Sequence, residues 1–235
     1  MLIFQKGLYM QKKSIFSLSF KDFFTKEFLL LAILPFFISA GLFFGLYAIL
    51  VDVPIVEGSF FTNIFSNLIS MVLYALGGIA SVMLSLLSAL VIIGFLTPYA
   101  VSIVHKRHYS EIERDTSITI IESLMFFAKT FAIFFILLIL FTPLYFIPAV
   151  NAIALQALFF YLFHTLLVFD VGTNIFNSND YKIFRKKRRF TILTTNLVLF
   201  LLSQIPMVGL LIPLFTVIVI THISFKYKKE ALQVL

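Results

Sequence analysis

The residues of this sequence that could do chemistry are polar side chains set inside long apolar runs. Gln156 and His164 stand eight residues apart, a spacing that places both on one face of a helix. Asn196 and Ser203, seven residues apart, share a face in the same way. Polar groups inside a membrane are costly unless they are paired or hydrated. The pattern therefore indicates either hydrogen bonds between helices or the wall of an aqueous route.

Further candidates lie at or near breaks in the apolar runs. Asn151 and Gln204 flank two breaks that contain proline. A helix that begins near Pro206 would present backbone N–H groups that attract an anion. Lys129 lies about two turns inside its apolar run and could extend its ammonium group outward. The candidates for an anion path are Lys129, Asn151, Gln156, His164, Asn196, Gln204 and Pro206.

Enzyme constellations are missing from the sequence. It has no carboxylate pair inside an apolar run, no glycine-rich loop that could hold a phosphate, and no Ser-His-Asp arrangement. His105 and His108 are followed by irregularly spaced acidic residues, which favours interfacial histidines over metal ligands. Because the chain has no cysteine, it can form neither a disulfide nor a thiolate site. We therefore expect no catalytic residue, no metal site and no cofactor.

Composition predicts an integral membrane protein. Of the 235 residues, 61% are hydrophobic and 12% are charged, whereas about 25% are charged in soluble domains. The net charge of +7 could indicate nucleic acid. In a membrane protein, inner loops that face anionic lipid explain it better, so we expect no nucleic-acid partner.

The apolar run 191–222 must position several of these candidates, and it is broken by the segment 204–209. As helices, its two arms would be about 20 Å and about 24 Å long, against a hydrocarbon core of about 30 Å. We therefore predict a re-entrant hairpin that turns inside the membrane. Protein or water must satisfy the backbone of such a turn.

The other runs complete an all-α membrane protein with two long transmembrane helices and two helical hairpins. A phenylalanine face at positions 16, 20, 23 and 24 predicts an interfacial helix near the N-terminus, and a plain cytoplasmic tail is the alternative. The predicted segments are a cytoplasmic or interfacial N-terminus (1–27), a transmembrane helix (28–50), an outer loop (51–67), a long bent transmembrane helix (68–104), hairpin 1 (123–170), a basic inner loop (171–190), hairpin 2 (191–222) and a cytoplasmic tail (223–235).

A ridge of small residues runs along the long bent helix. Its members recur every fourth residue, so a second helix can approach closely; a polar path along the ridge is the alternative. The members of this ridge are Gly77, Ser81, Ser85 and Ala89.

The distribution of basic residues predicts orientation. All 18 Lys and Arg residues lie in 1–27, 104–129, 182–189 or 226–229, so both termini should be cytoplasmic. Asp170 ends hairpin 1 at the inner surface, where we expect it to pair with Arg185 or Lys186. The basic run expected to contact anionic lipid is Arg185, Lys186, Lys187, Arg188 and Arg189.

Several short motifs, in their order and spacing, resemble the CysZ sulfate permease family, also described as etoposide-induced-protein-like. They are Ile33-Leu34-Pro35, Thr97-Pro98-Tyr99, Leu144-Tyr145-Phe146-Ile147-Pro148, Phe169-Asp170, and Ile205-Pro206 with Pro213. The resemblance implies bacterial inner-membrane proteins with two long transmembrane helices, two partly inserted hairpins and association into homo-oligomers. It further implies passive entry of sulfate for sulfur assimilation, without ATP or a bound cofactor.

The sequence departs from the family at its anion motif. Family members that bind sulfate carry Gly-x-Arg-Arg before the first helix, and the aligned positions here are Glu27, Phe28, Leu29 and Leu30. Lys26 is the nearest cation, and it lacks the forked geometry that suits sulfate. Two hypotheses follow: a passive channel for a small inorganic anion, with sulfate preferred, or a non-transporting scaffold or assembly factor with the same fold.

Overall fold

The computed structural model of this chain describes residues 14–51, 87–116, 118–205 and 208–233. These residues form α-helices joined by short turns and contain no strand, which confirms the predicted all-α class for this part of the chain. The helices are α1 (Ile15–Phe23), α2 (Lys26–Val51), α3 (Leu87–His108), α4 (Ile120–Leu140), α5 (Pro148–Thr173), α6 (Ser178–Lys187), α7 (Arg189–Leu202) and α8 (Ile212–Leu232).

Three of these helices, α3, α4 and α5, are long and apolar enough to cross a membrane. The bent pair of α1 and α2, with 75° between its two parts, could supply a fourth crossing. The expected number of long helices is therefore wrong, because both arms of hairpin 1 qualify. Their apolar stretches of 20 and 21 residues are about 30 Å long at about 1.5 Å per residue. By contrast α7, with 14 residues, is only about 21 Å long.

Helix α8 lies at the centre of the packing. It contacts α1, α5 and α7, and its side chains are buried from Ile212 to Phe225 except for a half-buried Phe215. A helix that is apolar all round lies either in a protein core or in lipid, and here other helices cover it. The second arm of hairpin 2 is therefore the core of the bundle rather than a surface element.

The face of helix α1 that is buried against the protein differs from the face on which most of its phenylalanines lie. Its buried residues are Leu18, Ser19, Asp22 and Phe23, whereas Phe16, Phe20 and Phe24 are exposed. Three phenylalanines at i, i+4 and i+8 therefore form an outward apolar stripe, as in a helix that lies in a membrane interface. The stripe is largely exposed, although the ring of Phe20 meets that of Phe215 on α8 edge to face at 6.4 Å, and the carboxylate of Asp22 faces the protein interior.

Local signals fix where several helices begin. Thr119 accepts a hydrogen bond from the backbone N–H of Glu122, and the Glu122 carboxylate accepts one from the N–H of Thr119, so α4 starts with a capping box. Asn177 caps α6 through the N–H groups of Asn179 and Asp180. Pro148 stands in the first turn of α5, where its missing N–H is not needed.

Two segments predicted to be irregular are helical. The expected inner loop 171–190 contains α6, which the Asn177 cap nucleates. The expected tail 223–235 continues α8 to Leu232, because no breaker interrupts it and lysine is a good helix former. Three members of the small-residue ridge (Gly77, Ser81 and Ser85), the predicted outer loop beyond Val51, and Pro206 lie outside the described residues.

The described end of the ridge packs against protein. Ala89 is 1% exposed, and the hydroxyl of the preceding residue, Ser88, lies 3.1 Å from that of Ser39 on α2. Close approach and a hydroxyl contact between two helices agree with the packing interpretation of small residues.

Replacing Gly172 with alanine should destabilise the junction of α5 and α6 by about 1–3 kcal/mol, as overpacking does. A Cβ at this position would lie 2.3 Å from the ring of Tyr181, and Tyr181 is itself buried. Thermal unfolding in detergent measures the loss. The double variant Gly172→Ala with Tyr181→Leu should recover part of it, and an unchanged melting temperature in the single variant would contradict the packing.

Candidate functional site

Four of the predicted path residues form two bridges between α5 and hairpin 2. The side-chain N–H of Gln156 donates to the side-chain oxygen of Gln204 at 3.0 Å. Nδ2 of Asn196 lies 3.1 Å from Nδ1 of His164. Ser203 instead donates its hydroxyl proton to the carbonyl of Phe200. We call the two bridges together with Asn151 the polar seam.

The glutamine bridge shows how far the tip of hairpin 2 extends. Gln156 lies 17 residues before Thr173 on α5, which is about 26 Å along the helix. The tip at Gln204 therefore lies near the far end of the α5 span rather than at its middle. Both glutamine side chains are exposed. Near that end of the span an exposed amide can bond to interfacial water or to another protein surface, whereas lipid hydrocarbon offers it no partner.

The seam also holds buried polar atoms without hydrogen-bond partners. Oδ1 of Asn151 and Oδ1 of Asn196 are both buried and unbonded. An amide presents an oxygen at one end and N–H donors at the other, so a half-turn replaces each acceptor with a donor. In that orientation the seam would present amide N–H groups in place of the two unbonded oxygens without a change in the backbone.

Other predicted site residues lie elsewhere. Lys129 is exposed on α4 and takes part in neither bridge. Pro206 lies outside the described residues; the next α-helix along the chain, α8, begins at Ile212 and is preceded by the 3₁₀ turn Val208–Leu210. Ile212 and Leu214 in its first turn are buried. The start of α8 thus faces protein, and the attraction of an anion near Pro206 stays a prediction.

Asp170 does not make its expected ion pair. It is buried on α5, its Oδ2 has no hydrogen-bond partner, and no ion pair to Arg185 or Lys186 occurs among the described residues. A Cβ on Gly94 would lie 3.2 Å from that oxygen. The carboxyl group instead packs against α3, because the helix directs residue 170 inward and the basic residues of α6 outward.

A second concentration of polar groups joins α1, α3 and α8. The carboxylate of Asp22 lies 3.0 Å from Nη1 of Arg107, from Nε2 of His108 and from Nε2 of His222. Arg107 also reaches Glu27, at 3.3 Å. The Asp22 side chain is 4% exposed and that of His222 is 0% exposed. We call this group the Asp22 cluster.

Two features stabilise the charge of Asp22. Burial alone would raise the pKa of its carboxyl group, but hydrogen bonds from His108, His222 and Arg107 outweigh burial and hold the pKa below its usual range. Tyr109 lies behind His222, with its hydroxyl 3.0 Å from Nδ1. Burial raises the pKa of Tyr109, so its hydroxyl keeps its proton and can donate to that ring nitrogen.

Sequence reasoning missed the Asp22 cluster because its members are far apart along the chain. Asp22 and His222 are 200 residues apart, and no local spacing relates them. Two signals were available: Asp22 is the one acidic residue in 1–26, within a phenylalanine-rich helix, and His222 follows an apolar run. An ionisable residue in such a place usually has a partner elsewhere in the fold.

The basic run is mostly exposed, on α6 and at the start of α7. Arg188 is the exception, because it forms an ion pair with Glu230 and lies over the ring of Tyr227. The exposed members are Arg185, Lys186, Lys187 and Arg189.

Apolar helices of membrane-spanning length, a hairpin whose first arm is shorter, and a polar seam between them define a multi-pass membrane protein of transporter-like architecture. The model of the family described as "Sulfate transporter CysZ/Etoposide-induced protein 2.4" matches residues 15–213. The chain therefore belongs to this family, which confirms the resemblance. No curated protein and no solved structure matches it.

Proposed function

We propose that this protein is a passive path through the bacterial inner membrane for a small inorganic anion, with sulfate the preferred ion, and that it supplies sulfur assimilation. The proposal is for transport without catalysis or a cofactor. The family name, which refers to a sulfate transporter, supports the substrate. The observation that carries the proposal is the exposed Gln156–Gln204 bridge at the tip of hairpin 2.

This bridge supports a conduit because its position would be unfavourable in lipid. Two exposed amides about 26 Å along α5 need polar neighbours, and a water-filled route that opens near this end of the span would supply them. Deeper along the seam, Asn196 and His164 continue the polar surface with a buried amide. An ion that loses part of its hydration shell here would meet amide N–H donors rather than hydrocarbon alone.

Sulfate flux into proteoliposomes tests the proposal. We expect flux from the wild-type protein and a reduction of about 5–10-fold in Gln156→Leu and in Gln204→Leu, since each variant removes about 1–1.5 kcal/mol of hydrogen bonding from the path. Asn151→Leu should act in the same direction. Thr194→Val is the matched control, because its exposed hydroxyl bonds only to its own helix backbone, and its flux should stay unchanged.

Thermal unfolding separates a transport defect from a folding defect. Each leucine variant should melt close to the wild-type temperature while its flux falls. Equal flux in all variants would assign the seam to helix packing alone. Absence of flux for sulfate, thiosulfate and phosphate in the wild-type protein would overturn the transport proposal.

A scaffold or assembly role is the second candidate, and one observation favours it. Leu29 and Leu30 replace the arginine pair that binds sulfate in the family, and both are exposed on α2. An apolar surface suits contact with lipid or with another membrane protein better than contact with an anion. Without flux, this role becomes the better explanation of the fold.

The proposal also covers the orientation of the protein in the membrane, its lipid contacts and its association with further copies. We place both termini in the cytoplasm, because the basic residues concentrate at one end of the helices. The exposed basic residues of α6 and α7 would then contact anionic lipid. Exposed polar groups at membrane depth, such as Lys129, would be covered where copies of the chain associate into a homo-oligomer.

A further inference from the structure

The Asp22 cluster brings three side chains of metal-binding type to one point. Nε2 of His108 and Nε2 of His222 each lie 3.0 Å from Oδ2 of Asp22, and the ligand atoms all lie within 4.8 Å of one another. Two atoms that bind one ion at about 2.1 Å and about 90–109° are about 3.0–3.4 Å apart. Side-chain shifts of roughly 1 Å would therefore accommodate an ion.

Each buried ligand also has an outer partner that fixes its orientation. The Tyr109 hydroxyl lies 3.0 Å from Nδ1 of His222, the ring nitrogen that does not face Asp22. Arg107 lies 3.0 Å from Oδ1 of Asp22 and leaves Oδ2 to the histidines. With a metal ion on Nε2, Nδ1 of His222 would carry the proton and donate it to the Tyr109 oxygen, and such a bond from the far N–H of an imidazole, like one to the second oxygen of a carboxylate, is typical of metal sites.

The local charge permits a cation. Asp22 and Glu27 contribute two negative charges, and Arg107, which contacts both, contributes one positive charge. With neutral imidazoles the group keeps one net negative charge. The second ion pair nearby, Lys229 with Glu111, is balanced. The groups in direct contact therefore do not repel a divalent ion, and the neighbouring Lys21, Lys26 and Lys106 are exposed, where solvent screens their charge.

We propose that Asp22, His108 and His222 bind a divalent transition-metal ion, with Zn²⁺ the best match, and that this ion fastens α1 to α3 and α8. Two imidazoles and one carboxylate are a ligand set that holds Zn²⁺, with further positions left for water. Magnesium and calcium prefer oxygen ligands throughout. The site shares no residue with the polar seam, so the inference is independent of the proposed transport activity.

Metal titration of the full-length protein, purified in detergent without a polyhistidine tag and stripped with EDTA, tests the proposal. Calorimetry with Zn²⁺ should show about one saturable site per chain. Zn²⁺ should also raise the melting temperature of the stripped protein, since it binds the folded state alone. Co²⁺ should bind in its place and give the absorption of a site with nitrogen and oxygen ligands.

Variants locate the ion. His108→Ala, at a half-buried position, and His222→Gln should each weaken Zn²⁺ binding by at least about 100-fold, and Tyr109→Phe by about 10–100-fold. His105→Ala is the matched control: its ring stacks on Phe225 and bonds the carbonyl of Ile112, so Zn²⁺ affinity should not change.

Two results would overturn the proposal. One is the absence of saturable Zn²⁺ or Co²⁺ binding to the wild-type protein. The other is binding that persists unchanged in His108→Ala and His222→Gln, since the ion would then lie elsewhere. In either case the Asp22 cluster would be a network of hydrogen bonds alone. Sulfate flux is measured separately, so its presence or absence does not affect this outcome.

Discussion

Replacing Asp22 with leucine should lower the free energy of unfolding by about 3–5 kcal/mol, the usual effect of removing one partner from a buried charge network. The change leaves the guanidinium of Arg107 and the buried ring of His222 without their shared acceptor. Thermal unfolding in detergent, with EDTA present so that no metal contributes, measures the loss. Asp22→Asn keeps one acceptor oxygen and should lose less.

The same variant should also release α1 from the bundle. Limited proteolysis should then cut near the turn at Phe24 and Thr25 faster than in the wild-type protein. Glu230→Gln is the control, because the Arg188–Glu230 pair is partly exposed and such pairs contribute at most about 1 kcal/mol. If both substitutions lowered the free energy of unfolding equally, the buried interactions of Asp22 would contribute no more to stability than an exposed ion pair.

Replacing Gly209 with alanine should be the most damaging small substitution in hairpin 2, with a loss of about 3 kcal/mol or more. A Cβ there would lie 1.9 Å from the backbone carbonyl oxygen of Ser203, and backbone cannot turn aside as a side chain can. The N–H of Gly209 donates to the carbonyl of Ile205 at 2.7 Å, so the turn cannot open without losing that bond. Thermal unfolding and flux should both be affected.

A glycine with free space around it is the matched control for this substitution. A Cβ on Gly41 of α2 meets no atom within 4 Å, so Gly41→Ala should be neutral or slightly stabilising, as alanine is the better helix former. A wild-type melting temperature for Gly209→Ala would mean that the tip of hairpin 2 is not packed as described.

The sequence was sufficient for the class of fold and for the polar seam. Long apolar runs and a scarcity of charge indicate membrane helices, and a helical repeat places Gln156 and His164 on one face. Both properties depend only on residues that are near each other along the chain, so the fold does not alter them. The partners Gln204 and Asn196 were also identified as candidates, because a polar residue in an apolar helix is conspicuous wherever it occurs.

What sequence reasoning missed depends on tertiary contacts. The periodicity of α1 identifies an apolar stripe but does not decide whether lipid or protein covers it, and here Asp22 faces the protein instead. The paths of α3 and α8 bring His108 and His222 together, and no spacing rule foresees that. The late start of α8 at Ile212 has the same origin, since the turn is shaped by contacts between Ser203 and Gly209 rather than by proline alone.

The bend between α1 and α2 has a consequence for how the protein sits in a bilayer. If the phenylalanine stripe keeps α1 flat at the surface, the angle of 75° to α2 forces α2 to lean at least about 15° from the bilayer normal, close to the average of about 20° for transmembrane helices. The hydroxyl of Thr25 accepts a hydrogen bond from Arg107 and donates one to the carbonyl of Asp22. These hydrogen bonds connect the start of α2 to the end of α3. A change in membrane thickness that alters the tilt of α2 would therefore also alter the contacts of the Asp22 cluster.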